Sequence, residues 1–274
     1  MKQILANNIS QSVAMIVQRA HVASTSSKEE GVPPVWRQDT AFRLVQVRIL
    51  CEDLGLTESG ECAKRIQDEL IMTDKEFTNQ ELLWKLDGLL SLLESEMGKR
   101  LYFSVQNDLI RFVNGKSLFG TKVEAAFPSI DLDLKEAGNC LAFGRNAAVI
   151  YHLMRVAEVG LWELGRDRQI PLAQSNKIEF TEWGLIIREL EDAVKTIQQW
   201  PNSTKKEEAH KFYNHAVVEI RAFNDGWRRH SAHARPHMPP TSPEEAKALW
   251  GHLERFMKAL AARISEGKYT NPVW

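Results

Sequence analysis

Residues 204–227 read TKKEEAHKFYNHAVVEIRAFNDGW. Ala209, Phe212, Ala216, Ile220, Phe223 and Trp227 recur every three or four positions. That spacing lines them up along one side of an α-helix and on neither face of a strand. Thr204, with Glu207 three residues on, has the pattern of a capping box, in which each side chain satisfies the other residue's open backbone NH. A second signal follows at Ser242-Pro243-Glu244-Glu245, an N-cap serine, a proline at the first helical position and a box glutamate. Its apolar stripe is Ala246, Leu249, Leu253, Phe256, Leu260 and Ile264.

Outward from this pair the same period recurs. Upstream, residues 133–165 and 176–199 read as two further helices, so the C-terminal part is a four-helix unit. Near the N-terminus, 2–22, 38–54 and 59–72 are helical. Leu82, Leu86, Leu90, Leu93, Met97 and Leu101 form one stripe of a long helix. No segment alternates as a strand does, and no Asn-Gly turn joins two β-rich runs. The chain is therefore expected to be all-α. Residues 114–133, NGKSLFGTKVEAAFPSIDLD, hold two glycines and a proline with no sustained period. They mark the join between an N-terminal helical domain, 1–130, and a C-terminal one, 131–274. Gly115-Lys116-Ser117 imitates the end of a phosphate-binding loop, but the glycine required five positions earlier is Ile110 and no strand feeds it. An ordinary turn is the expectation.

The totals narrow the function. With 35 basic and 36 acidic side chains the net charge is −1, which excludes a general nucleic-acid coater. Contact with RNA would have to run through a local patch. Cys51, Cys62 and Cys140 are odd in number and widely spaced, so they suggest neither a disulfide framework nor a cysteine zinc site. A reduced, cytoplasmic setting is expected. The first residues lack the basic-then-apolar order of a signal peptide, and no apolar run approaches the roughly 20 residues of a membrane span.

The chemistry concentrates in residues 227–236, WRRHSAHARP, between the two capped helices. Arg228 stands one residue past the last core anchor of its helix, and His233 lies about a turn farther on. Pro236, Pro239 and Pro240 prevent the helix from continuing. An arginine offers a planar fork of donors that matches a phosphate. A histidine titrates near neutrality and moves protons. Together they suffice for metal-free RNA cleavage: the ribose 2′-hydroxyl attacks phosphorus, histidine handles a proton, and arginine stabilises charge on the phosphate oxygens.

Arg228-x4-His233 between the last two helices of an all-α bundle resembles the signature of the HEPN superfamily: arginine, four to six residues, then histidine. The stretch LAFGRNAAVIYHLMRVAEVGL (141–161) is similar to the first helix of bacterial proteins that carry this domain. The resemblance covers about residues 131–267. Where many members have asparagine, aspartate or histidine after the arginine, this chain has Arg229. The resemblance implies an endoribonuclease of the toxin–antitoxin, abortive-infection or CRISPR-effector kind, without metal or cofactor. It implies a homodimer whose two motifs meet across a two-fold axis, with RNA as substrate and an antitoxin or other regulatory protein as a possible partner. Arg228 and His233 take the catalytic positions, and Arg229, His230 and Arg235 serve as phosphate contacts in a locally basic loop.

Plainer readings stand beside these. Arg228 and His233 also suit a helix C-terminus, where cations meet open carbonyls. His230, His233 and His237 raise the question of zinc, but no acidic residue or cysteine accompanies them between Trp227 and Pro243. On the first C-terminal helix Arg145, His152 and Arg155 fall within about 80° of one another. Glu158 follows one turn after Arg155, either as an i,i+3 ion pair on a solvated face or as part of a polar strip facing the dimer cleft, where Arg155 and Glu158 orient the Arg228–His233 loop. The tryptophans Trp84, Trp227 and Trp250 read as core. The alternative to the enzyme is a non-catalytic interaction module that binds a nucleotide or protein partner through the basic loop.

Overall fold

The computed structural model describes residues 6–72, 76–172, 177–228 and 241–267. It is all-α. Among the described residues no strand forms, and an isolated antiparallel bridge joins Gly31 and Thr78. The chain divides into two compact units at Tyr102–Phe103.

The first unit holds α1 (Ala6–Thr25), α2 (Pro34–Leu54), α3 (Thr57–Ile71) and α4 (Asn79–Gly98). α2 packs on α3, and α1 on α4. Ile16, Leu44, Val47, Ala63, Leu86 and Leu89 are fully enclosed. The α2–α3 turn is made at Gly55, whose φ of 69° favours glycine. Its carbonyl and that of Leu54 accept hydrogen bonds from Arg100. Thr78 and Glu81 form the capping box of α4. Leu82, Leu86 and Leu93 of the leucine stripe are buried as the period requires, but Leu101 lies beyond the helix and is exposed, and so is Trp84. Cys51, Cys62 and Cys140 are free thiols, and burial pushes Cys51 up to about 11, which keeps it protonated and unreactive.

The second unit contains α5 (Thr121–Ala126), α6 (Asp131–Ala142), α7 (Asn146–Asp167), α8 (Trp183–Gln198), α9 (Thr204–Phe223) and α10 (Pro243–Ala261). α7 is its axis, in contact with α6, α8, α9 and α10. The unit starts well before residue 131 because the chain ahead of α6 is needed to close its core. Phe112 and Phe119 meet the Trp250 ring edge-on, with centroids 4.9 and 5.3 Å away. The 114–120 segment is the turn expected of it, and the Ser117 hydroxyl donates to the Glu124 carboxylate.

Three local expectations are corrected. The single helix over 133–165 is two, α6 and α7, broken at Gly144 with φ 67°. The N-cap of α9 is Ser203, whose hydroxyl accepts the Lys206 amide, so Thr204 is the first helical residue. The stripe through Trp227 leaves the α-helix after Phe223 and continues as a π-helical turn, Asn224–Arg228. The Ser242–Glu245 capping box of α10 forms as read.

Two close arrangements hold the second unit. Gly138 of α6 lies so near the chain ahead of it that an added Cβ would stand 2.9 Å from the Phe112 carbonyl oxygen and 2.9 Å from a Leu118 methyl. At the far end of α7, Glu163 is fully buried. Burial raises its carboxyl pKa against the opposing charge of Arg166, which bonds it directly.

Gly138→Ala should therefore destabilise the protein. The gain in helix propensity, about 1 kcal/mol, is outweighed by an overpacking cost of about 1–3 kcal/mol. Urea unfolding with unchanged or higher stability would show that the Phe112 segment gives way. Arg166→Met should cost about 3 kcal/mol near neutrality, because it removes the cation that opposes a buried carboxylate and leaves it the Gly267 amide. A carboxyl with a raised folded-state pKa costs least when protonated, so this deficit should shrink as pH falls toward the ordinary glutamate value of 4.5. A pH-independent deficit in thermal denaturation would refute that assignment.

Candidate functional site

Arg228 closes the π-helical turn that follows α9. Such turns are rare and often occur at functional sites, because they redirect side chains without ending the helix. This one packs on α9 and on α7. Trp227 is half-buried and packs on the core, which fixes the turn from inside. The Arg228 guanidinium carbon lies 5.8 Å from the Trp183 ring centroid, within cation–π range.

Trp183 is the first residue of α8 and only 5% exposed. Its indole Nε1–H donates to Glu158 Oε1 at 2.7 Å. A chain of contacts thus runs from α7 through Glu158 and Trp183 to Arg228. A neutral–charged hydrogen bond of this kind contributes more than an ordinary one. It holds the ring, and the ring holds the arginine. The expected i,i+3 pair of Glu158 with Arg155 does not form.

Arg155 instead turns to α6. Its Nε donates to both Asp133 oxygens, at 2.8 and 2.9 Å. The Asp133 hydrogen bond, then its charge, raise the arginine's pKa, so the cation is permanent. The same carboxylate contacts His152 Nδ1 at 2.9 Å. Arg155 is 54% exposed, whereas Asp133 is 18% exposed and His152 23%. His152, Arg155 and Glu158 thus stand on successive turns of one strip of α7, spread over about 9 Å at 1.5 Å per residue.

Arg229, His230, His233 and Arg235, with His237, lie outside the described residues. The described chain resumes at Thr241, whose carbonyl accepts a hydrogen bond from Asn146 Nδ2 at 3.2 Å, at the start of α7. Both described ends of the motif segment are therefore held against the helix that carries the polar strip. Among the described residues no three His, Cys, Asp or Glu side chains gather as a metal-binding set. None of the described helices is long and apolar enough to cross a membrane.

A concavity of about 1080 Å³ runs between α9 and α10 along residues 208–219 and 252–263. Glu219 contacts His252 there, and its other oxygen lies 3.8 Å from His215. It sits on the earlier turns of α9, away from the π-helical end that carries Arg228.

Sequence reading missed Trp183 and Asp133. Trp183 opens the apolar stripe of Ile186, Leu190, Val194 and Ile197, so its period marks it as core and not as a platform for a cation. Asp133 is 19 residues from His152 and 22 from Arg155, beyond any spacing rule along one helix. No protein-family model, no curated protein and no solved structure matches this chain.

Trp183→Phe keeps an aromatic ring but deletes the donor and part of the buried indole. It should cost about 1 kcal/mol, and Glu158→Gln, which retains an acceptor, should cost less. Urea denaturation of both variants checks the order. A Glu158→Gln loss larger than that of Trp183→Phe would mean that the carboxylate is held by something other than the indole.

Proposed function

We propose that the C-terminal unit is a metal-independent endoribonuclease of the HEPN type. It acts as a homodimer with one composite site built from Arg228 and His233 of both subunits. The observation that carries this reading is the seating of Arg228. It stands at the end of a rigid helix on a π-helical turn, over a tryptophan locked by Glu158, at the arginine position of R-x4-H between the last two helices of an all-α bundle. Catalytic groups need this kind of support from fixed elements.

The chemistry balances without a cofactor. The substrate's 2′-oxygen bonds to phosphorus and gives up its proton to a general base, and the P–O5′ bond breaks. The leaving 5′-oxygen takes a proton, which His233 is placed in the sequence to supply. Arg228 stabilises the charge on the non-bridging oxygens. The products are a 2′,3′-cyclic phosphate and a 5′-hydroxyl. DNA lacks the nucleophile and is left intact. Arg229, His230 and Arg235 contact flanking phosphates, and Arg155 and Glu158 support the site from α7. A cytoplasmic toxin or defence role follows from the same reading, with an antitoxin or other regulatory protein holding the activity in check.

A second reading is favoured by the cation–π seat itself. An arginine held over an aromatic ring also serves a non-catalytic module that binds a nucleotide or a protein partner.

Purified protein incubated with total RNA in excess EDTA separates the two. Cleavage leaving 2′,3′-cyclic phosphate ends is expected. It should fall by about 10²–10⁴-fold in His233→Ala and in Arg228→Ala. Arg228→Lys should not restore it, because a point charge lacks the planar fork. His215→Ala, on the α9–α10 groove, serves as the histidine control and should cut normally. Folded, dimeric protein that cuts no RNA, or that cuts only with added metal, would overturn the ribonuclease.

A further inference from the structure

The groove between α9 and α10 has no part in RNA cleavage, and its described lining holds no residue of the Arg228–His233 motif. We propose that it is a docking site for an α-helix of another protein, one with an apolar stripe and acidic flanks.

An ion pair crosses the groove at each end. Glu208 of α9 lies 3.9 Å from Arg263 of α10, and Glu219 of α9 contacts His252 of α10. Three turns of α9 separate the two carboxylates, about 16 Å at 1.5 Å per residue. Between them the buried lining residues Ala216, Phe256 and Leu260 form an apolar floor. Val218 on α9, 59% exposed, and Ala259 on α10, also exposed, carry the apolar surface up toward water. Apolar surface left open along a channel of this size marks an interaction site.

The charge left over on the walls is positive. Glu208 and Glu219 are both engaged across the groove, and Glu219 also lies 3.8 Å from His215. Lys211 on α9 and Arg255 on α10 are exposed, and neither meets a carboxylate among the described residues. They stand on opposite walls, so a helix lying between them has a cation on each flank. Carboxylates on those flanks complement both. An extended segment would set unpaired backbone amides against the apolar floor, whereas a helix satisfies its own. Three turns are also the span of a helix anchored by apolar residues at i, i+3 or i+4, and i+7. A nucleic-acid strand fits less well. It would pass the carboxylates Glu208 and Glu219, and the floor offers its phosphates no donor.

The test uses the full-length protein and a fluorescein-labelled synthetic peptide of about five helical turns, with leucine at i, i+3, i+4 and i+7 and glutamate on both flanks. One control peptide carries lysine in place of the glutamates, and another has the acidic peptide's residues in scrambled order. By fluorescence anisotropy the acidic helix should bind about tenfold tighter than either. Lys211→Glu combined with Arg255→Glu should weaken the acidic helix by about tenfold and strengthen the lysine peptide. Ala259→Arg, at an exposed position, should block the channel and abolish binding while thermal unfolding stays parental. Equal binding of the three peptides, or an acidic-helix affinity that the double variant leaves unchanged, would overturn the site. A labelled single-stranded RNA that binds tighter than the acidic helix, and is lost in the same double variant, would give the groove to nucleic acid instead. A dimer that Ala259→Arg converts to monomer would make a second copy the occupant and overturn the foreign helix. Any RNA cleavage by the parent should persist in all these variants, so failure of docking and failure of the ribonuclease are read separately.

Discussion

The second unit depends on the burial of α7. A helix in contact with α6, α8, α9 and α10 has little of its circumference left for water. Val149, Leu153, Val156, Ala157, Leu161 and Leu164 are completely enclosed, so this helix is where the core is densest. Burial on so many sides leaves polar side chains only two options: the narrow open strip, or an interior position with a partner.

Both options are used, at opposite ends. Toward the C-terminus the polar groups are interior and paired. Glu163 meets Arg166, and Asp167 accepts the hydroxyl proton of the buried Tyr213. Charges taken out of water demand such partners, and the Asp167–Tyr213 bond joins α7 to α9. On the open strip, His152 and Arg155 both reach Asp133 of α6, and Glu158 reaches Trp183 of α8. The rigid interior pairs and the accessible strip share one helix, so the strip is presented on a support that cannot easily shift. That division between a sealed end and an open face is what a site built for precise positioning requires.

The seat of Arg228 shows how one irregularity of backbone aims a side chain. A regular continuation of α9 would have carried the next residues around at the α-helical period. The π-helical turn at Asn224–Arg228 changes that rotation while Trp227 stays against the core. The guanidinium then meets the Trp183 ring, which α7 holds through Glu158. One helix thus carries the cation, a second supplies the ring beneath it, and a third holds that ring.

The sequence by itself determined the helices. The period of three to four in 204–227, the Ser242–Glu245 capping box and the leucine stripe of α4 are local signals that act over one or two turns, and they place α9, α10 and α4. It also placed Arg228 at a helix end. It erred by a residue or a turn where competing local choices differ little in energy: Ser203 against Thr204 as cap, a break at Gly144, a π-turn against an α-turn. Only the tertiary structure decided which polar groups meet. Asp133 reaches His152 and Arg155 from another helix, and Trp183 reaches Glu158 across 25 residues. Those partnerships depend on the rotation and height at which each helix settles. Core packing sets that rotation and height, through contacts such as Gly138 against Phe112, and no spacing rule within one helix contains them.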